Sequence, residues 1–200
     1  MPETTCPSCG APFKYDEDYA QLVVCPYCNN SIAVVDKSLK VDQKLAPLTK
    51  VPTRLEIGKT LVHNNVEYAI MGVARYEYGD GFWDEWHLLN TSNNQVAFYT
   101  EDEGDYILFH EKKILPAAEA PSAPIGQTFS LGEQTISLRE KGQAKLSGMM
   151  GQIANQFPPM TPFTYVDGVI GQHMVIVSYL QDRVILATGT PVRYTDVTIK

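Results

Sequence analysis

Cys6-Pro7-Ser8-Cys9-Gly10 and Cys25-Pro26-Tyr27-Cys28-Asn29 hold all four cysteines of the chain, in two C-x-x-C pairs with fifteen residues between them. That spacing is the pattern of a tetrathiolate metal site. A two-residue gap lets each pair clasp one side of a tetrahedral ion about 2.3 Å from each sulfur. Gly10 and Asn29 follow the second cysteine of each pair, and both residue types tolerate the left-handed conformation that a tight knuckle demands. Residues 21–24 and 31–35 read as strands entering and leaving the second knuckle. Residues 1–36 are therefore expected to form a zinc ribbon, with Cys6, Cys9, Cys25 and Cys28 holding one structural Zn2+.

Three other chemistries compete for the same cysteines. A disulfide scaffold is disfavoured because no signal peptide precedes Cys6 and no further cysteine is present to pair. A redox dithiol calls for a single C-x-x-C beside a βαβ pattern, whereas here two pairs lie in a β context. A rubredoxin-like iron site usually has wider spacing between the pairs and more aromatic cover. Four protein thiolates close the coordination shell and leave no position for a substrate. For a segment too short to bury a useful core, metal ligation supplies on the order of 10 kcal/mol of folding free energy or more.

The 200 residues are 44% hydrophobic and 20% charged, the composition of a soluble globular protein of one or two domains. No apolar run reaches the roughly 18 residues of a transmembrane helix. Residues 1–5 lack the charge and apolar order of a signal peptide, which predicts a cytoplasmic location. Net charge is uneven, at −4 over residues 1–36, +3 over 37–53 and −6 over the remainder. An acidic ribbon suits a phosphate backbone poorly, because affinity there comes from Lys and Arg releasing counterions. Lys37, Lys40, Lys44 and Lys50 read as a solvated linker, with peripheral binding to an anionic membrane or an acidic partner as the alternative.

The prolines at 47 and 52 forbid a continuing helix, so residues 37–53 are expected to tether a freely moving ribbon. From residue 54 to 200 the signal is almost entirely β. Runs at 66–76, 83–89, 95–100 and 106–110 alternate with turn residues and predict an antiparallel meander. A proline-punctuated break at 116–124 follows. Then Ile125-Gly126-Gln127-Thr128 repeats the pattern of Ile57-Gly58-Lys59-Thr60 ahead of a second set of strands at 134–141, 144–147, 163–167, 174–180, 184–188 and 192–199. The expected fold is mainly β, an antiparallel barrel-like or sandwich domain with related meander halves at 54–115 and 124–200. Residues 148–162, with their glycines, prolines and methionines, read as a long connection covering one end of the sheet.

Trp83-Asp84-Glu85-Trp86-His87 is the most unusual side-chain cluster. On a strand, Trp83, Glu85 and His87 share one face and Trp86 and Leu88 the other. The tryptophans read as core anchors, with Trp83 covering a sheet edge; the sharper alternative makes Glu85 and His87 an acid–base or metal pair. No phosphate-binding Gly-rich loop, G-x-S-x-G or H-E-x-x-H motif accompanies them.

Gly58, Tyr68-x3-Gly72, Arg75-Tyr76, Trp83-x-Glu85-Trp86-x-Leu88-Leu89, the acidic turn 101–104 and Tyr165-x-Asp167 together resemble a family of uncharacterised bacterial domains found behind an N-terminal CPxCG-type ribbon. The family often has a tryptophan in the strand before the acidic turn, where this chain has Ala97-Phe98-Tyr99. The resemblance implies a β domain of unknown function, sometimes encoded near membrane-stress and polyamine-related proteins, and brings no catalytic residues. The functional expectation is a non-catalytic zinc-binding adaptor with a protein partner, in a membrane-stress assembly. The alternatives are an enzyme using Glu85 and His87 and a nucleic-acid-binding ribbon protein.

Overall fold

The computed structural model describes residues 3–42, 48, 52–154 and 157–200. Two short strands, β1 (Glu3–Thr5) and β2 (Pro12–Lys14), flank the first knuckle, and β3 (Leu22–Val24) and β4 (Ser31–Val35) flank the second. Asp36 and Lys37 both adopt positive φ and turn the chain into β5 (Ser38–Val41), which pairs with β4. The first residues of the expected tether are thus a hairpin strand of the ribbon. Lys44 and Lys50 lie outside the described residues.

The remaining strands are β6 (Thr60–His63), β7 (Val66–Tyr78), β8 (Gly81–Asn90), β9 (Val96–Asp102), β10 (Asp105–Pro116), β11 (Thr128–Leu131), β12 (Gln134–Ile153), β13 (Phe163–Ile170), β14 (His173–Tyr179), β15 (Arg183–Pro191) and β16 (Val197–Ile199). Strands β7 to β10 form one meander and β12 to β15 another. The two join along β10–β15 and again along β7–β12, so eight antiparallel strands close into a ring. Closure removes the free edges that an open sheet of this size would expose.

The halves correspond in backbone as well as in order. Gly58 N–H bonds to Ile70 O and Ile70 N–H to Lys59 O; at a constant offset, Gly126 N–H bonds to Leu138 O and Leu138 N–H to Gln127 O. Each first strand then carries a bulge directly after, at Met71 in β7 and Arg139 in β12. The weak sequence repeat at Ile57 and Ile125 therefore marks a structural one.

Alternation sorts the side chains into three layers. Trp86, Leu88, Val73 and Leu108 pack on the outer face of the first half under β6 and β16, and Val166, Val175, Val177 and Leu138 on the outer face of the second half. The interior face is shared: Tyr76 and Trp83 meet Phe163, Tyr165 and Ile185, while Phe98 and Phe109 meet Ala187. Trp83, expected at a sheet edge, lies inside this layer and is stacked on Tyr76 with ring centroids 5.0 Å apart.

Two expectations change. Residues 148–153 are strand, the final turns of the ladder in β12, which pairs in succession with β11, β13, β7 and β3. Strand character was hidden because Gly72 and Gly151 face each other where β7 and β12 close the ring. A Cβ on Gly72 would lie 2.4 Å from Gln152 O, and one on Gly151 2.5 Å from Met71 O. Side chains do not fit there, and the alternation that announces a strand is lost with them. Of the connection expected over 148–162, Asn155 and Gln156 lie outside the described residues.

The ribbon is also held against the ring. Leu22 pairs with Ile153, Gln21 N–H donates to Ile153 O at 2.9 Å, and Asp16 N–H donates to the Gln152 Oε1 at 2.7 Å. Leu22 enters the interior cluster beside Tyr76 and Phe157, and Met71 reaches out into the ribbon core of Tyr15, Tyr19, Val23 and Ile32.

Candidate metal centre and the buried charges of the barrel

The two knuckles share one backbone design. Gly10 N–H bonds to Cys6 O and Cys6 N–H to Ala11 O; Asn29 N–H bonds to Cys25 O and Cys25 N–H to Asn30 O. Gly10 and Asn29 take φ of 74 and 59, the left-handed conformation their residue types admit. This brings the four sulfurs to within 4.8 Å of one another, with Cys6 and Cys28 Sγ 3.8 Å apart and Cys9 and Cys25 Sγ 3.9 Å apart. A tetrahedron with metal–sulfur bonds of about 2.3 Å has edges of roughly 3.8 Å, so the donor set fits a single thiolate-bound ion. Asn30 N–H, followed by the neighbouring sulfurs, holds Cys28 down at about 7. Cys9, although Ala11 N–H favours its thiolate, is pushed up to about 12 by burial and by the sulfurs around it. Four such close sulfurs share negative charge comfortably only around a cation.

Within the ring, Glu85 and His87 project from β8 into the interior, as alternation predicts, and a third group joins them. Lys112 Nζ from β10 stands 2.9 Å from Glu85 Oε1 and 3.0 Å from Oε2. Ala154 N–H donates to His87 Nδ1 at 3.1 Å, which places the proton of a neutral ring on Nε2, 3.3 Å from Glu85 Oε1 but outside hydrogen-bond geometry. Burial opposes the charge on Glu85, yet Lys112 and His87 hold it down to about 2. Burial lowers both His87 and Lys112. His87 is 0% exposed and Lys112 Nζ lies over the Phe98 ring at 3.5 Å, so the arrangement is a largely buried ion cluster on the interior face. Tyr19 of the ribbon reaches this end too, its phenol raised by burial and then by the charge of Glu85.

The outer face carries a second buried pair. Arg75 holds Asp84 through two bonds of 2.8 and 2.7 Å, while Trp86 Nε1 donates to Glu101 at 2.8 Å and the Thr53 hydroxyl donates to the same oxygen at 2.9 Å. The alternation of Trp83-Asp84-Glu85-Trp86-His87 therefore feeds two different buried polar networks. Lys112 was missed because β10 bulges at His110: the extra residue inverts parity after Phe109 and turns Lys112 inward in place of Glu111. No signal in the local sequence distinguishes that lysine from its neighbour.

A further group of acids sits by the shared aromatic layer. Tyr78 donates to Asp102 Oδ1 at 2.9 Å, and Tyr165 donates to Glu140 Oε1 at 2.6 Å. Asp167 lies alongside, with a buried oxygen, Oδ1, that has no hydrogen-bond partner among the described residues. In the sequence Tyr165 and Asp167 stand out only as family-like positions, and the acids at 101–103 only as a turn.

The model of the family described as Domain of unknown function (DUF4178) matches residues 56–178, more than half of the chain. The match begins just ahead of β6 and ends within β14, spanning both first strands of the repeat. No curated protein and no solved structure matches.

Proposed function

The chain belongs to the DUF4178 family, and we propose that it is a non-catalytic adaptor in which a zinc ribbon is fixed to a duplicated β barrel and offers a contact surface to a protein partner. The observation that carries this reading is the sulfur tetrahedron of Cys6, Cys9, Cys25 and Cys28. Zn2+ fits it best: the ion has no geometric preference beyond what the ligands impose and takes four thiolates in a closed structural shell. With the shell closed, the metal builds a surface and does no chemistry on a substrate. On the second knuckle Tyr27 is 66% exposed, an aromatic of the kind enriched at the centre of protein interfaces. The partner is taken to be part of a membrane-stress assembly, in line with the family resemblance.

Elemental analysis of the purified full chain is expected to find one zinc per chain, and iron in its place would overturn the metal assignment. Crosslinking from soluble and membrane fractions of source extract, with wild type and Tyr27→Ser, tests the surface. A defined partner lost in Tyr27→Ser with zinc retained supports the adaptor; the same partner held equally by both moves the contact off the knuckle.

A further inference from the structure

The acids beside the aromatic layer line a cavity of about 220 Å3 between the two halves of the barrel. Its apolar wall is three rings in mutual contact: Trp83 and Tyr165 are 5.4 Å apart between centroids, Tyr78 and Trp83 5.6 Å, and Tyr78 and Tyr165 6.0 Å. Two of these rings rest on glycines across the ladder. Tyr165 is paired with Gly142, where a Cβ would lie 2.8 Å from the ring, and Tyr78 with Gly81, where it would lie 3.0 Å away. The backbone is shaped to seat them.

The polar groups of the cavity are almost all acceptors. Tyr78 and Tyr165 already donate their hydroxyl hydrogen bonds to Asp102 and Glu140, so toward a ligand they present ring and lone pairs. Asp167 lines the same space and carries a buried Oδ1 that has no hydrogen-bond partner among the described residues. Asp105 adds a further carboxylate to the lining, and the one cation among its described residues, Arg139, is exposed and bonded to Met174 Sδ at 3.6 Å. Such a site repels anions, and an unpaired buried carboxylate is costly to leave without a donor. A metal ion is disfavoured by spacing: among the described residues only the four cysteines gather three or more ligand atoms closely enough to share an ion. Dispersed carboxylates with aromatic walls match a bulkier cation, whose N–H groups reach separate oxygens and whose carbons lie on the rings.

We propose that this cavity binds the ammonium group of a small organic amine, with Asp167 as its buried counter-ion, Asp102 and Glu140 as flanking acceptors, and Trp83, Tyr78 and Tyr165 as its wall. The site is independent of the metal centre and of any protein partner. Burial, and then Glu140 and Asp102, push Asp167 up to about 7; a bound cation reverses that, so binding releases a proton from this group. Affinity therefore rises with pH, by about tenfold between pH 6 and pH 8.

The test is calorimetric titration of the full chain with n-butylammonium chloride, n-butanol and magnesium chloride, followed in parallel by tryptophan fluorescence, since Trp83 forms part of the wall. Expected are saturable binding of one butylammonium per chain, no saturation by butanol, and a loss of at least tenfold in affinity in Asp167→Asn with the thermal transition retained. Equal binding of butanol would make the cavity a mere apolar slot. Saturation by magnesium that displaces butylammonium would make it a metal site. No saturable butylammonium binding at millimolar concentration, or an unchanged affinity in Asp167→Asn, also overturns the proposal. Should the variant fail to fold, the wild-type pH profile decides: an affinity flat between pH 6 and pH 8 removes Asp167 from the site.

Discussion

Asp167 and Glu85 are both buried carboxylates, and they pull stability in opposite directions because only one has a cation beside it. Asp167 is raised to about 7, above the ordinary value near 3.9 of the unfolded chain, so the folded state binds its proton more tightly. Its favourable contribution is complete below about pH 4 and is lost as pH rises through 7. Asp167→Asn should therefore be more stable than wild type at pH 8, by about 4 kcal/mol, with the difference vanishing near pH 4; urea denaturation across that range measures it. Glu85, held down to about 2, stabilises above the unfolded carboxylate value and loses that contribution as pH falls toward 2. Lys112→Met removes its counter-ion and is expected to cost about 3 kcal/mol at pH 7, whereas Glu85→Gln with Lys112→Met should recover most of that loss, because breaking a buried pair is worse than replacing it. At this scale the cysteines and the facing of Glu85 and His87 were legible, since both follow from fixed spacings. Lys112 and Asp167 were not: their meaning depends on register, and register depends on bulges.

The bulges are what make the strands behave as more than ladders. Those at Met71, His110, Arg139 and Ser147 each insert one extra residue against a single partner strand and reverse side-chain parity beyond it. At Met71 the displaced side chain leaves the barrel and enters the ribbon's core. Sequence reading found the hairpins, whose turns carry pairs of positive-φ residues such as Asn64–Asn65 and Glu103–Gly104. It split β12 and ended it early, since Gly142 and Gly148 to Gly151 interrupt the pattern that long strands usually show. The ribbon is coupled to the barrel through that unread segment, and Cys9→Ser is accordingly expected to release the metal and to lower the melting temperature of the barrel as well. Differential scanning calorimetry checks this: a barrel transition unmoved by Cys9→Ser would mean the junction at Leu22 and Ile153 contributes nothing measurable.

As a whole molecule the protein is two copies of one meander closed by two seams. The repeat was visible in a few residues around Ile57 and Ile125 and in little else, because the halves share backbone bonds while their side chains have diverged: one interior quadrant carries Glu85 and His87, the other Asp167 and Ser178. Each half leaves its interior face to be covered by the other, so residues 54–115 expressed alone are expected to lack a cooperative transition by circular dichroism; a sharp one would show that a half is self-sufficient.

Strand β12 touches β11, β13, β7 and β3 in turn, and this gives the molecule a direction along which protection is lost. Amide hydrogens of Gln152 and Ile153 sit at the ribbon, those of Gly148 to Gly151 at the seam, and those of β14 deep between two paired neighbours. Stripping the metal should accelerate deuterium uptake first at the ribbon end, next at the seam, and least in β14, so that the barrel opens from the end at which the cysteines hold it shut.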